Sequence, residues 1–278
     1  MSLKFGFSTN AFREYELTEA IEIIGAAGYD GVELLFDEPH LYPLTATSEE
    51  IETVQQSLRA ADLTISNCNA FMLTAIEDFH HPSFIEPEIA DRTNRLEYTH
   101  AAIKTAAALG QSHISIEPGG PVPDGKSRSW ALNRFEEGLR KLLPVAKDAD
   151  VKLLVEPEPE LLVETSDQFL DLMERIDSPY VQCNFDAGHF YCVEEDPAEL
   201  VSTLAPYTAH YHLEDIPADR THEHTQLGDG AMDIEAFLTA LEAADYDGFV
   251  TVELYPYEST AAETARESMD YLQEHGWA

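Results

Sequence analysis

The sequence is poor in positive charge. Its 278 residues hold 16 Lys and Arg against 53 Asp and Glu, for a formal charge of -37 at pH 7. Binding a phosphate backbone requires clustered Lys and Arg, and the sequence has no such cluster, so nucleic acid is disfavoured as a partner. Cysteine is also scarce. Cys68, Cys183 and Cys192 are odd in number and lack CxxC spacing, which supports neither a disulfide framework nor a thiolate zinc site and fits a reducing, cytoplasmic setting. Long hydrophobic runs are missing too, since nothing approaches the ~18 consecutive apolar residues of a membrane span. The opening MSLKFGFSTN reads as a strand, with neither the apolar core nor the cleavage site of a leader. A soluble, non-secreted protein with no membrane partner is the expectation.

What is present is enough to fold. Hydrophobic residues make up 44% and aromatics 10%, which excludes a disordered class in spite of the charge. The acids are spread along the whole chain, as on a solvated surface. With so few lysines, the pattern is similar to that of proteins from a salt-rich cytoplasm, where ionic strength screens self-repulsion.

Short β-rich runs alternate with longer helical patterns. The strands are expected at 4–10, 29–36, 63–69, 113–119, 151–157, 181–188, 208–215 and 247–255. Amphipathic stretches fall at 17–27, 48–61, 88–109, 128–149, 166–176, 197–204, 233–244 and 260–274. Helix starts are marked by Thr47 or Ser48, by Ser166 or Asp167, and by Pro197, while Gly28, Gly110 and Gly248 stand where a helix gives way to a strand. The length is near the ~250 residues of a (β/α)8 barrel. The competing doubly wound sheet usually carries a glycine-rich phosphate loop after its first strand, where this chain reads STNAF. The fold expected is therefore α/β, a single (β/α)8 TIM barrel over 1–278. In such a barrel the chemistry belongs at the C-terminal ends of the strands.

Those ends are polar. Strand five closes on Glu156-Pro157-Glu158, strand six on Asp186-Ala187-Gly188-His189, strand seven on His212-Leu213-Glu214-Asp215 and strand eight on Glu253. Inward barrel positions are normally Val, Ile or Leu, so an ionisable group there needs a partner or a metal. Glu156, Asp186, His212 and Glu253 come from consecutive strands and can converge. Their oxygen-rich set with one imidazole suits one divalent ion, Mn, Mg or Co, and tolerates Zn.

Lesser candidates fall on the same face. Glu158 points to the same side as Glu156 and is either a base or a solvated loop acid. Asp215 either orients His212 or binds substrate, or else caps a turn. Asp37 and His40 follow strand two. Asn67, Asn69 and Glu117 look like hydrogen-bonding partners for a polyol. Gly119-Gly120 offers either a phosphate nest or a tight turn, and Tyr255 and Tyr257 either wall a pocket or pack.

The runs LLVEPEP, NFDAGHF, HYHLEDIPADRTHEHTQLGDGAMD and GFVTVELYPY, in this order, give the chain its resemblance to the xylose isomerase-like TIM-barrel superfamily. That superfamily includes sugar-phosphate isomerases and epimerases, ketose 3-epimerases, inosose dehydratase and endonuclease IV. The resemblance implies that Glu156, Asp186, His212 and Glu253 are the metal ligands. It also implies that Glu156 and Glu253 act as acid and base, and that His189 and Arg220 bind substrate oxygens or a phosphate. A homodimer or homotetramer is implied as well. Endonuclease IV has extra histidines at strands three and four, where this chain has Asn67, Asn69 and Glu117. The DRTHEH segment still leaves open a second metal near Asp219, His222 and His224. The leading expectation is a metal-dependent isomerase or epimerase acting on a small sugar, polyol or keto-sugar, phosphorylated or not, by proton abstraction beside a carbonyl. The alternatives are a dehydratase or lyase on the same scaffold, a phosphodiesterase, and a non-catalytic metal- or sugar-binding barrel.

Overall fold

The computed structural model describes residues 3–72 and 80–278. Met1 and Ser2, the start of the expected first strand segment, and residues 73–79 lie outside the described residues. Eight strands, β1 (Lys4–Ser8), β2 (Gly31–Leu35), β3 (Thr64–Asn69), β4 (His113–Ile116), β5 (Lys152–Val155), β6 (Val181–Asp186), β7 (Thr208–Leu213) and β8 (Phe249–Val252), pair in chain order into a closed barrel. Every pairing is parallel, and β1 meets β8 with Phe7 opposite Val252. The helices are α1 (Leu17–Ala27), α2 (Ser48–Ala60), α3 (Ile89–Leu109), α4 (Arg128–Ala149), α5 (Ser166–Ile176), α6 (Ala187–Cys192), α7 (Pro197–Leu204), α8 (Ile234–Ala243) and α9 (Ala261–Glu274). The TIM barrel read from the sequence is the fold observed.

Period-two alternation builds both layers of the barrel. Phe5 and Phe7, Val32 and Leu34, Ile114 and Ile116, Leu153 and Val155, Phe185, Leu213, Val250 and Val252 join the helices in one hydrophobic core. The intervening positions turn inward, and towards the mouth they are polar: Ser8, Glu33, Asn67, Ser115, Asn184, His210 and His212 are all buried. The interior thus departs from the layers of branched aliphatics expected of such a barrel; Ser8, Glu33, Asn67, Ser115, Asn184 and His212 hydrogen-bond within it, while Asn184 Oδ1 and His210 Nε2 are left without a partner.

Local signals set the boundaries. Thr47 caps α2 in a full capping box with Glu50. The cap of α5 is Thr165, one residue ahead of the expected Ser166 or Asp167. Gly28 and Gly110 end their helices left-handed, whereas after α8 the left-handed residue is Asp245 and not Gly248. The helix α6 was not anticipated. Its origin is Asp186, whose carboxylate accepts the backbone N–H of His189 at 2.7 Å and so turns the end of β6 directly into a helical cap.

Candidate metal centre

Glu156 follows β5, Asp186 closes β6, His212 lies in β7 and Glu253 follows β8, so the barrel delivers each residue to the same level of the mouth. Their ligand-type atoms lie within 4.8 Å of one another, and all four side chains are buried. His212 Nδ1 is 3.0 Å from Glu156 Oε1, 3.6 Å from Glu253 Oε2 and 3.7 Å from Asp186 Oδ2. The second oxygen of each acid is held elsewhere. Asn184 donates to Glu156 Oε2 at 2.6 Å, Asn10 and Asn69 donate to Glu253 Oε1 at 2.8 and 3.1 Å, and Asp186 Oδ1 caps α6. One oxygen of each acid is therefore anchored while the other faces His212.

The far side of His212 is fixed as well. Its Nε2 is 2.7 Å from Glu33 Oε2, and Glu33 also accepts from Ser8 at 2.7 Å and Asn67 at 2.7 Å. A carboxylate on one ring nitrogen sets the tautomer and leaves the other nitrogen free to ligate. Burial disfavours a charge on His212, but Glu33, Glu253 and Glu156 outweigh it and hold the imidazole well above its ordinary range. Burial likewise drives Glu253 well above the usual carboxylate range, and neighbouring acids add to the shift. This cluster carries more acid than one imidazolium can neutralise, and the buried Asp186 Oδ2 has no hydrogen-bond partner. The donor set and the orphaned oxygen both fit a divalent cation.

Above the cluster opens a cavity of about 490 Å³, lined by Asn10, Arg13, Asp37, Asn69, Phe71, Glu156, Glu158, His189, His222, His224, Glu253 and Tyr255 among others. Glu158 reaches it, and burial, with Glu156 and Glu117 adding to it, pushes its carboxyl well above the usual range. His189 reaches it too, its Nδ1 2.9 Å from the Pro157 carbonyl. Burial holds His189 and His222 below the ordinary imidazole range and His224 down to about 4.

Other sequence candidates sit elsewhere. Arg220 stacks on Tyr191 at 4.1 Å and donates to its carbonyl, away from the cavity lining. Asp215 spends its carboxylate on backbone amides and not on His212. It accepts four backbone amides, from Ile216 and Met232 on one oxygen and Gly228 and Gly230 on the other, and so folds the loop after β7. A Cβ at Gly230 would overlap that carboxylate, so the close approach requires glycine. Asn67 lies one layer beneath Asn69, about 7 Å lower along the strand, bonded to Glu33 and Ser115. Glu117 is buried 3.5 Å from Arg95. The Nε2 of His40 faces the carbonyls of Phe12 and Tyr15 at 3.1 and 3.2 Å. Asp219 is exposed and accepts from Thr221, so it does not join His222 and His224; His189 does. Gly119 and Gly120 are left-handed turn residues packed on Leu162 and Ser83, and the Tyr257 hydroxyl accepts from Gln226.

Sequence reasoning missed Glu33, Asn184 and Asn10. Glu33 left a usable signal, as an acid in the middle of GVELL, and Asn184 shares the inward phase of Asp186. Asn10 left none, because it sits in a 3-10 turn after β1.

The family model described as xylose isomerase-like TIM barrel matches residues 21–275. The chain belongs to this family. Among its curated relatives, the inosose dehydratase of Clostridium perfringens (strain 13 / Type A) is 26% identical over 287 residues, 94% of this chain and 91% of the relative. A solved D-tagatose 3-epimerase-like protein superposes with a TM-score of 0.79 at 23% identity, covering 98% of this chain and 99% of that one. The IOLI protein, solved with a bound zinc atom, gives 0.79 at 18% identity over 98% and 97%. These two structures share the fold of this family member.

Proposed function

We propose that the protein is a divalent-metal-dependent isomerase or epimerase of a small sugar, polyol or keto-sugar. The observation that carries this reading is that Glu156 and Glu253 both line the cavity and both belong to the buried four-residue cluster. A cation held by Glu156, Asp186, His212 and Glu253 would supply Lewis-acid polarisation of a carbonyl. The protein's own part is proton transfer. One glutamate takes the proton from the carbon beside the carbonyl and the other returns one, each kept in place by its amide donor. Asn10, Asn69 and Asp37 give the cavity the fixed donors and acceptors that hydroxyl groups need.

A second reading, dehydration, is favoured by Glu158. Burial favours the protonated form of its carboxyl, which lines the cavity and would give its proton to a departing hydroxyl. The curated relatives named inosose dehydratase support the same reading. Incubation with keto-sugars and with inosose in D2O, followed by NMR, separates the two. Solvent deuterium beside the carbonyl with retention of every hydroxyl supports isomerisation or epimerisation, loss of water supports dehydration, and no exchange with any substrate at any divalent metal sinks both.

A further inference from the structure

The cavity is lined by four acids, Asp37, Glu156, Glu158 and Glu253, and beside them stands a permanent cation. Among the described residues, Arg13 is the one Lys or Arg in that lining. We propose that Arg13 anchors an anionic group, a carboxylate or a phosphate, carried by the sugar-type substrate at the end remote from its carbonyl. The inference rests on the sugar-type reading of the cavity and adds to it the charge of the ligand.

The turn after β1 sets the geometry. It is a 3-10 turn, Thr9–Phe12, and Arg13 continues it with helical angles, φ -67° and ψ -13°. In a 3-10 helix the side chains at i and i+3 eclipse, and each residue advances ~2 Å. Arg13 therefore projects from the same face as Asn10, about 6 Å farther along the turn. Asn10 donates to Glu253 Oε1 at 2.8 Å. One face of one turn thus reaches the carboxylate cluster with its first side chain and the outer cavity with its second. A ligand whose carbonyl end lies at the cluster meets the guanidinium with its other end. The backbone beneath Arg13 is held from both sides. His40 Nε2 lies 3.1 Å from the Phe12 carbonyl and 3.2 Å from that of Tyr15, Phe12 packs on the rings of Phe7 and Tyr15, and Thr9 Oγ1 accepts the Leu35 amide at 2.8 Å.

The guanidinium can change partners. It donates to Glu258, from the 3-10 turn Tyr255–Thr260 after β8. The two side chains are 32% and 33% exposed, and an ion pair this open to water contributes little, so a ligand anion can displace the Glu258 carboxylate readily. A guanidinium presents five N–H donors in a fork that matches a carboxylate or a phosphate, and the bond to Glu258 engages only Nη2. Other arginines near the mouth are committed to the backbone: Arg95 donates to the Phe71 and Pro82 carbonyls, and Arg220 to that of Tyr191. An anion entering among four acids needs a fixed cation to offset their repulsion, and Arg13 is where the lining provides it.

The test uses the full chain loaded with Mn2+ and three probes that differ only at the terminal carbon remote from the ketone. These are D-fructose, D-fructuronate and D-fructose 6-phosphate, which carry a hydroxyl, a carboxylate and a phosphate ester there. Calorimetry measures the affinities. At least one anionic probe should bind about 10-fold more tightly than fructose, and the one that gains more identifies the group. Arg13→Gln should bring that ratio close to one, and Arg13→Lys should keep part of it. Glu258→Gln should raise it a few-fold by removing the competing carboxylate. No preference for either anion in the wild type, or no binding of any probe, overturns the proposal. So does an anion preference that survives Arg13→Gln, since the metal or another donor would then hold the anion. The catalytic reading fails separately: an Arg13-dependent preference with no solvent exchange in any probe supports this anchor and leaves the cavity a binding site.

Discussion

The two halves of the barrel mouth do different work. Strands β5 to β8 carry the charged residues, Glu156, Asp186, His212 and Glu253, whereas the mouth positions of β1 to β4 and the turn after β1 carry mainly amides and hydroxyls: Ser8, Asn10, Asn67, Asn69 and Ser115. The neutral half donates to the charged half across the barrel, from Asn10 and Asn69 to Glu253, while Glu33 on β2 fixes His212. The lesson is a division of labour. Charge is concentrated on one side, and the other side spends its polar groups orienting that charge, which is what a site that must keep ligands aligned requires.

Substitutions ranked by expected effect can break this comparison. The largest loss belongs to the charged half: Glu253→Gln should lower turnover by about 10³-fold while metal binding is partly preserved, and His212→Ala should remove the metal instead. Steady-state rates and metal content measured side by side check both, and unchanged values in both variants end the site assignment.

Besides Glu33, the first half of the barrel buries the acid Glu117, after β4. Burial, only partly offset by Arg95, pushes Glu117 up to about 7. An unfolded glutamate titrates near 4.5, so the folded protein binds this proton more tightly, and the contribution of Glu117 to stability is lost as pH rises from about 4.5 to about 7. Relative to wild type, Glu117→Gln should therefore gain up to about 3 kcal/mol between about pH 4.5 and pH 8. A gap between the two proteins that stays flat with pH in denaturant titrations would refute this.

A smaller effect sharpens the orienting role. Glu33→Gln leaves the metal-facing nitrogen of His212 in place but removes its carboxylate partner, so metal affinity should fall about 10- to 100-fold with little change in fold. Chelator competition measures it, and an unchanged affinity would make Glu33 a packing residue only. Smaller still, Asn69→Ala should cost a few-fold in kcat/KM, because Asn10 still holds the same oxygen of Glu253. The smallest effect acts on the whole molecule. Removing salt should lower the thermal midpoint by a few degrees, since the charge of -37 repels over a longer screening length; a midpoint indifferent to salt would contradict it.

Much of this was legible before the structure, and the parts that were not share a cause. Alternating β and α patterns, the polar strand ends and the cap at Thr47 are short-range signals, each written within a few residues. The β/α order, the closed barrel and the grouping of Glu156, Asp186, His212 and Glu253 could therefore be read directly. Asn67 and Asn69 show the limit: two residues apart on one strand and alike in type, one lies beneath the other and only Asn69 faces the cavity. Arg220 and His40 show it too, since each sits next to the mouth in sequence yet spends its side chain on backbone carbonyls.

The amino-acid sequence alone determined the fold, its closure and which strand ends bear ionisable groups, because hydrophobic periodicity and turn chemistry are local. Only the tertiary structure decided that Glu33 stands behind His212, that Asp215 serves a loop, and that His189 faces His222 and His224. Those pairings join residues far apart in the chain, and their distances are set by barrel register and loop anchoring, which no local pattern encodes.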